Sequence, residues 1–387
     1  MKSDIALVND FPEGTGIGNY AWNLYKELKE ESVEMIYLGG KKKQKRLDFG
    51  TLSEALPWPL KRHNLEEEKK KEVKVLSGSI PLPVLGKSLN KALYYPHRVP
   101  RGYKLYHASN QFLARLADTR KPCIVSCMDV IPKALPGHYA PGISQVLDYA
   151  MQGMKSAEKV IAISNFTKRE IEKYYHIPGT KISVIHLGFE CDTFSPGNKK
   201  RARKALELDE KALIVLNVGS EEPRKGIPTL LKAFQLLNAK YPNSILVRVG
   251  EKRPETEKAI ANLGLQEKVI HRVKLSKAEL ALAYNAADVL AFASTYEGFG
   301  LPLVEAMASG LPIVAARASS TPEVVKDAAW MVEGGNAIAF CKGLEELLES
   351  SAVRNRLKQK GIRRAKFFSW KKCARETQRA YEEVLKK

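Results

Sequence analysis

Short apolar runs alternate with stretches of helical periodicity along most of the chain. Runs with few polar positions, typical of buried parallel strands, occupy residues 5–8, 33–38, 105–107, 123–126, 160–163, 212–218, 245–249 and 289–293. Repeated strand-helix units of this kind predict an α/β fold with doubly wound sheets. Since 387 residues exceed one ordinary hydrophobic core, we expect two such domains.

Residues 295–316 hold a strand end, a glycine loop, a helix and the start of another strand. Gly298 and Gly300 allow the backbone to turn sharply and to approach a ligand closely. Pro302 suits the first position of a helix, and Gly310 suits its C-terminal cap. The spacing therefore predicts a short helix that begins directly after a glycine loop.

The predicted helix covers residues 303–309, and its first N–H groups have no partners within the helix. An N-terminus of this kind binds phosphate groups well. Glu297 lies on the loop before the helix and Glu305 about one turn inside it. We expect one of these carboxylates to contact sugar hydroxyls and the other to contact a ribose.

The apolar run of residues 212–218 leads into a second loop, Gly219-Ser-Glu-Glu-Pro-Arg-Lys-Gly226. Arg224 and Lys225 are adjacent cations at the end of a predicted strand. Such a pair stabilises the negative charge that grows on a departing pyrophosphate. The sequence therefore predicts a pyrophosphate clamp at this loop.

A third glycine loop follows the first predicted strand and precedes a helix expected over residues 19–30. The spacing Gly14-x-Gly16-x-Gly18 fails the dinucleotide-binding fingerprint, because the next position is Asn19. The strand at residues 33–38 also ends without an acidic residue for a nicotinamide ribose. The pattern does not support a dehydrogenase.

The chain is strongly basic, with 63 Lys and Arg against 43 Asp and Glu, a net charge of +20. This balance favours anionic partners such as nucleic acid, a lipid surface or phosphorylated substrates. The N-terminus lacks a signal-peptide pattern or membrane span, so we expect a cytoplasmic protein. The five cysteines lack zinc-ligand spacing and are expected to be free thiols, mostly in the core.

Two segments of the first half allow alternative interpretations. The basic run of residues 41–46 is either a solvated loop or a contact with an anionic membrane, to which each cation contributes about 1 kcal/mol. The proline-bounded amphipathic segment of residues 80–101 either lies near an acceptor or packs as an insertion.

The segment E-G-F-G-L-P-L-V-E-A-M-A-S-G-L-P places Glu297 and Glu305 eight positions apart. It closely resembles the E-x7-E signature of retaining glycosyltransferases of family four, and Arg224-Lys225-Gly226 matches a further motif of that family. The resemblance implies a GT-B fold, in which two Rossmann-like domains face a cleft and the last helix crosses back to the first domain. It implies domains of residues 1–194, for the acceptor, and 195–367, for the donor, with residues 368–387 packing back.

The resemblance also assigns roles to residues. Glu297 would contact the donor sugar, the backbone of Gly298, Phe299, Gly300 and Leu301 would donate hydrogen bonds, and Glu305 would hold the ribose. Arg224, Lys225, Gly219 and the helix end at Leu303 would bind the pyrophosphate, and Val273 would lie near the base. Gly16 and Gly18 would approach the phosphates from the other domain.

Two strand ends carry further candidates, His107 and Asp129. Residues 124–132 resemble the family segment that commonly ends in His-Asp and faces the donor sugar, so Asp129 is a candidate catalytic helper. Met128 stands where the histidine is usual, and no histidine contact is carried over.

The resulting prediction is transfer of a hexose from GDP-mannose or a UDP-sugar to a glycan or lipid-linked hydroxyl, with retention. No D-x-D triplet occurs, so neither a metal nor another cofactor is expected. Alternatives are a GT-B epimerase, a phosphorylase with pyridoxal phosphate, or a non-enzymatic basic protein that binds membrane or nucleic acid. The chain lacks the interleaved aromatic and basic residues of a nucleic-acid module, so nucleic acid is not the expected partner.

Overall fold

The structure is a computed structural model that describes residues 3–28, 32–38, 73–76, 90–140 and 142–386. Its residues form two compact units. The first comprises Met1–Cys127, Ala140–Val160 and Arg379–Lys387, and the second comprises Met128–Tyr139 and Ile161–Gln378. The basic run of residues 41–46 and the first part of the proline-bounded segment, residues 80–89, lie outside the described residues.

The first sheet has seven strands in the order β3-β2-β1-β4-β5-β6-β7. They are β1 (Ile5–Asn9), β2 (Val33–Leu38), β3 (Val73–Leu76), β4 (Leu105–Ala108), β5 (Cys123–Cys127), β6 (Lys159–Ala162) and β7 (Ile182–Val184). The pairings from β3 to β5 are parallel. Strands β1, β4 and β5 are buried along their whole length, as expected for a parallel sheet covered on both faces.

The second sheet has six strands in the order β10-β9-β8-β11-β12-β13, and all its pairings are parallel. They are β8 (Leu213–Val218), β9 (Ser244–Val249), β10 (Val269–Arg272), β11 (Val289–Phe292), β12 (Ile313–Ala316) and β13 (Trp330–Val332). Fully buried Leu230, Phe234, Val289, Val314 and Phe340 form the centre of its core.

Helices connect the strands of both sheets. Those up to residue 175 are α1 (Gly16–Glu27), α2 (Tyr95–Arg98), α3 (Leu116–Thr119), α4 (Ile131–Ala134), α5 (Ile143–Gln152) and α6 (Asn165–Tyr175). Those that follow are α7 (Lys199–Ala205), α8 (Ile227–Lys240), α9 (Pro254–Asn262), α10 (Lys277–Ala286), α11 (Leu301–Ala308), α12 (Thr321–Val325), α13 (Ala337–Glu349), α14 (Ser351–Ala365) and α15 (Trp370–Leu385).

The strand order places one topological switch point in each sheet. In the first sheet it lies between β1 and β4, and in the second between β8 and β11. Ligands of doubly wound sheets bind at the carboxyl ends of the strands that flank such a point. The Arg224-Lys225 loop follows β8 and the Glu297 loop follows β11, so both predicted donor loops lie at one switch point.

The start of α1 differs from the prediction. The helix begins at Gly16 instead of Asn19, because Thr15 is its N-cap and accepts a hydrogen bond from the Gly18 N–H at 3.0 Å. Gly16 and Gly18 therefore lie in the first helical turn. A side chain at Gly18 would meet the Pro12 carbonyl oxygen, 1.9 Å from its Cβ, so packing requires glycine there.

Other local predictions are confirmed. Ser164 caps α6 by accepting from the Thr167 N–H, and Ser276 with Glu279 forms a capping box on α10. Gly310, at φ 70°, follows the end of α11 in the left-handed conformation. All five cysteines are free, and four of them are buried.

Candidate active site

Glu297 is buried on the loop between β11 and α11, and both its carboxylate oxygens are paired. Oε1 lies 2.6 Å from the Lys225 ammonium, and Oε2 lies 3.0 Å from Arg224 Nη1. Burial opposes ionisation of this carboxyl, but the charges of Lys225 and Arg224 prevail and hold its pKa below the usual range. The structure thus brings together three of the four charged residues that the sequence assigned to the donor.

Backbone contacts fix the β8 loop against the β11 loop. The Arg224 carbonyl accepts from the Thr295 N–H at 2.8 Å, and Arg224 Nη1 donates to the Tyr296 carbonyl at 2.9 Å. Gly226, at φ 67°, packs so closely that a Cβ would lie 2.3 Å from the Ala293 carbonyl oxygen. Gly219 begins the loop, and the Lys225 side chain lies 3.9 Å from where a Gly219 Cβ would stand.

Each residue of the glycine loop before α11 meets a different structural requirement. A Cβ on Gly298 would lie 1.9 Å from the Met128 carbonyl oxygen, whereas Gly300 has φ 98° and is the N-cap of α11. Phe299 is buried, with its ring edge-on to Phe368 at 5.4 Å. The Phe299 side chain therefore anchors the loop in the core.

Helix α11 starts at Leu301, two residues before the predicted start. The Leu303 N–H donates to the Gly300 carbonyl at 3.0 Å, and the Leu303 side chain is fully buried. The earlier start places Glu305 on the second turn of the helix, where its side chain is half-buried. Leu301 and Gly300 thus lie at the helix N-terminus, where N–H groups lack helical partners.

Glu305 accepts a hydrogen bond from the Tyr284 hydroxyl of α10 at 2.8 Å. Burial raises the pKa of Glu305 to about 7, against the opposing effect of that hydrogen bond. The two glutamates of the signature consequently differ in protonation: Glu297 is ionised at neutral pH, whereas Glu305 titrates near it.

Asp129 belongs to the second unit, and the site charges act on it. Its Oδ1 accepts from the Ile131 N–H at 3.0 Å. Burial raises the pKa of Asp129; the Ile131 hydrogen bond and Arg224 oppose this rise, and the charges of Glu222 and Glu297 add to it. Asp129 is therefore an electrostatic neighbour of the Glu297 cluster.

Val273 follows β10 at the edge of the second sheet and is 47% exposed. The strand order separates β10 from β8 by one strand. The proximity of Val273 to a nucleotide base stays a prediction.

Comparison with known proteins agrees with this arrangement. The model of the family described as Glycosyltransferase Family 4 matches residues 14–193, and that described as Glycosyl transferases group 1 matches residues 198–364. This chain belongs to glycosyltransferase family 4. The family predicted from the E-x7-E segment is thereby confirmed.

Relatives of this glycosyltransferase cover much of its length. It is 28% identical over 298 residues to the O-antigen chain mannosyltransferase B of Escherichia coli, a match that covers 75% of this chain and 72% of that protein. It is 30% identical over 249 residues to the D-inositol 3-phosphate glycosyltransferase of Streptomyces avermitilis. That match covers 61% of this chain and 54% of the relative, so it spans about half of the relative's length.

The fold is also found among solved structures. The sucrose-phosphate synthase of Thermosynechococcus elongatus superposes with a TM-score of 0.80 at 20% identity, and the match covers 99% of each chain. The predicted fold class, α/β with the GT-B architecture, is confirmed. None of the helices in the described ranges is both long and apolar enough to span a bilayer.

Two serines of the glycosyltransferase, whose positions in the sequence do not predict a role at the site, hold the Glu297 loop. The Glu297 N–H donates to Ser319 Oγ at 2.8 Å, and the buried Ser320 hydroxyl is within 2.9 Å of the Glu297 carbonyl and 3.0 Å of the Phe299 carbonyl. They precede α12, more than 20 residues after the glutamate, so local spacing gave no sign of the contact. The only signal was adjacent hydroxyls between a strand and a helix.

A buried ion pair lies beneath the β8 loop. Arg248 of β9 is fully buried, and its Nη2 lies 3.1 Å from Glu221 Oε1. Arg248 also donates to the Asn217 side chain, whose Nδ2 donates to the Ala291 carbonyl of β11. This network joins three neighbouring strands to the loop that carries Arg224. A lone arginine within the apolar run Ser244–Val249 was the available signal.

His107 is a structural residue, so its selection as a functional candidate was wrong. The side chain is fully buried, with Nδ1 at 2.7 Å from the Tyr381 hydroxyl and Nε2 at 2.8 Å from Ser126 Oγ. Burial lowers the pKa of His107 to about 3. The neutral imidazole thereby fastens residues near the chain's end to the first sheet.

Proposed function

We propose that this glycosyltransferase moves a hexose from a nucleotide diphosphate sugar to a hydroxyl of a glycan or lipid-linked acceptor, with retention at the anomeric carbon. The observation that carries the proposal is the pairing of buried Glu297 with both Arg224 and Lys225 at the switch point of the second sheet. Two cations beside a glycine loop and a helix N-terminus suit a pyrophosphate.

Glu297 suits the role of a hydrogen-bond acceptor for the donor sugar. Because its pKa is held below the usual range, the carboxylate is ionised at neutral pH and accepts from sugar hydroxyls. The same pairing makes it a weak covalent nucleophile, since both oxygens already bind cations. Glu297 would therefore orient the sugar and stabilise positive charge on an oxocarbenium-like transition state.

Arg224 and Lys225 would stabilise the nucleoside diphosphate as it leaves. Charge accumulates on the pyrophosphate when the glycosidic bond breaks, and preorganised cations stabilise it without rearrangement. Backbone N–H groups of Gly298, Phe299, Gly300 and Leu301 would share this charge. The proposal includes no metal ion or other cofactor, because these groups would supply the positive charge that a metal ion supplies in other enzymes.

The nucleoside would lie along the carboxyl edge of the second sheet. Glu305 would accept from the ribose hydroxyls, and the chain near Val273 would contact the base. Asp129 would assist at the sugar, on the side where its charge interacts with Arg224 and Glu297. Mannose is the favoured hexose, because the Escherichia coli relative is a mannosyltransferase.

Further assignments complete the proposal. Residues 1–194 would bind the acceptor and residues 195–367 the donor, with Gly16 and Gly18 near the donor phosphates.

The enzyme would act in glycan biosynthesis in the cytoplasm, and residues 41–46 would contact the membrane surface. Pelleting with anionic vesicles that salt reverses supports the membrane contact, and absence of pelleting contradicts it.

Calorimetric titration with GDP, UDP, ADP and their sugar conjugates tests the donor site. One nucleotide is expected to bind to the wild type and to bind at least tenfold more weakly to Lys225→Ala, because a charged hydrogen bond is lost. Absence of binding by all of them would contradict the proposal.

A further inference from the structure

The first sheet carries its own polar cluster at its switch point. Strands β1 and β4 are neighbours whose chain connections run in opposite directions, so a crevice opens at their carboxyl ends. Asp10 follows β1, and Ser109, Asn110 and Gln111 follow β4. In the second sheet, the equivalent position holds Glu297 and the Arg224-Lys225 pair.

Hydrogen bonds fix the side chains of this cluster. Asn110 Nδ2 donates to Asp10 Oδ1 at 3.0 Å, while Asn110 Oδ1 accepts from the Phe112 N–H at 3.0 Å. The Ser109 hydroxyl donates to Asn9 Oδ1 at 3.1 Å. Asn9, Ser109 and Asn110 are fully buried, whereas Asp10 is half-buried at the end of its strand. The network therefore presents a carboxylate in a defined orientation.

Two tyrosines, Tyr37 and Tyr95, are electrostatic neighbours of Asp10. Tyr37 of β2 is the register neighbour of Asn9, and its ring centroid is 6.3 Å from that of Trp22. Tyr37 and Tyr95 are both half-buried. The pKa of each tyrosine is raised, first by burial and then by the Asp10 charge, which agrees with a position beside that carboxylate.

We propose that Asp10, Asn110, Tyr37 and Tyr95 form a binding site for a neutral sugar residue of the acceptor. Carboxylates and amides exchange hydrogen bonds with sugar hydroxyls, and aromatic rings pack against the apolar C–H faces of a sugar. A fixed carboxylate repels phosphate, whereas the two cations of the second sheet attract it. The switch point of the first sheet thus suits a neutral sugar, whereas that of the second sheet suits an anionic phosphate.

This inference rests on the proposed function, and its experiment distinguishes a failure of the inference from a failure of that function. Saturation-transfer NMR is recorded with the methyl glycosides of mannose, glucose, galactose and N-acetylglucosamine, and with mannose 6-phosphate. Binding of GDP and UDP is measured calorimetrically on the same samples. If neither nucleotide nor any of their sugar conjugates binds, the proposed function fails; if a nucleotide binds but no neutral glycoside does, the acceptor site alone fails.

At least one neutral glycoside is expected to bind the wild type more tightly than mannose 6-phosphate. Asp10→Asn keeps the shape and the Asn110 contact but removes the charge, and should weaken that glycoside about tenfold. Tyr95→Phe should weaken it less and leave nucleotide binding unchanged. The control Asp118→Asn removes a surface pair with Arg115 and should change nothing. Tighter binding of mannose 6-phosphate, or unchanged affinity in both Asp10→Asn and Tyr95→Phe, overturns the proposal.

Discussion

The Lys225 ammonium lies 2.6 Å from Oε1 of Glu297, although 72 residues separate the two along the chain. Strands β8 and β11 are neighbours in the sheet, so the loops that follow them meet at one edge. The carboxylate offsets part of the positive charge of the two cations that we propose bind the pyrophosphate.

Lys225→Ala should lower turnover about a hundredfold, because a preorganised cation no longer stabilises the leaving group. The fold should persist, since Arg224 still pairs with Glu297. Release of nucleoside diphosphate from the donor measures turnover, and circular dichroism measures the fold. Lys240→Ala, which removes a lysine paired with Glu349 on the surface, should retain full activity. Wild-type turnover in Lys225→Ala would refute the proposed role of Lys225 in stabilising the pyrophosphate.

Glu297→Gln should also cripple turnover, by about a hundredfold or more, because the buried charge that stabilises the oxocarbenium-like state is removed. Nucleoside diphosphate affinity should instead be kept or rise, since Arg224 and Lys225 lose their internal anion. Calorimetry with the nucleotide alone separates the two effects. A parallel loss of nucleotide affinity and turnover would contradict the assigned role and indicate a collapsed loop.

Arg248 and Glu221 should stabilise the second unit only when both residues are present. Glu221→Leu or Arg248→Met alone removes the oppositely charged partner of a buried charge, although Glu221 also lies 3.5 Å from His271 Nε2, and should lower the free energy of unfolding by about 3–5 kcal/mol. The double variant should recover most of this loss, because an apolar pair can replace a buried ion pair. Urea unfolding of the four proteins measures the coupling, and additive losses would contradict it.

Glu305 should make stability depend on pH in a defined direction. Its folded-state pKa of about 7 lies above the ordinary value of 4.5, so its contribution to stability is full below pH 4.5 and is lost as the pH rises through 7. Glu305→Gln, which stays neutral, should gain stability relative to the wild type over that range. Urea unfolding at several pH values measures the difference, and Glu382→Gln on α15 is the control. A constant difference across the range would refute the raised pKa.

The donor half of the site was largely predictable. Glu297, Arg224 and Lys225 occur in loops whose glycines and prolines mark strand ends, and the strand order brings these loops together. The contacts of Ser319 and Ser320 were not predictable, because they depend on how the turn after β12 packs against the Glu297 loop. Sequence spacing carries no information about such packing.

Contacts that sequence spacing does not reveal explain why other features were predicted wrongly or missed. The Thr15 cap moved the start of α1 to Gly16, although the three glycines suggested a longer loop. His107 ends a buried strand, which suggested function, yet its partner Tyr381 lies 274 residues later. The Asp10–Asn110 contact likewise joins residues 100 positions apart, so the polar cluster of the first sheet emerged only from the folded chain.

All the proposed residue roles depend on retaining transfer from a nucleotide sugar at the Glu297 cluster. Proton NMR of the newly formed glycosidic bond tests it most directly, with the donor found by titration and an acceptor glycoside that binds the first unit. The product's anomeric configuration is expected to match that of the donor, and Glu297→Gln is expected to form little product. Inversion of configuration, or product formation by Glu297→Gln at the wild-type rate, would contradict it.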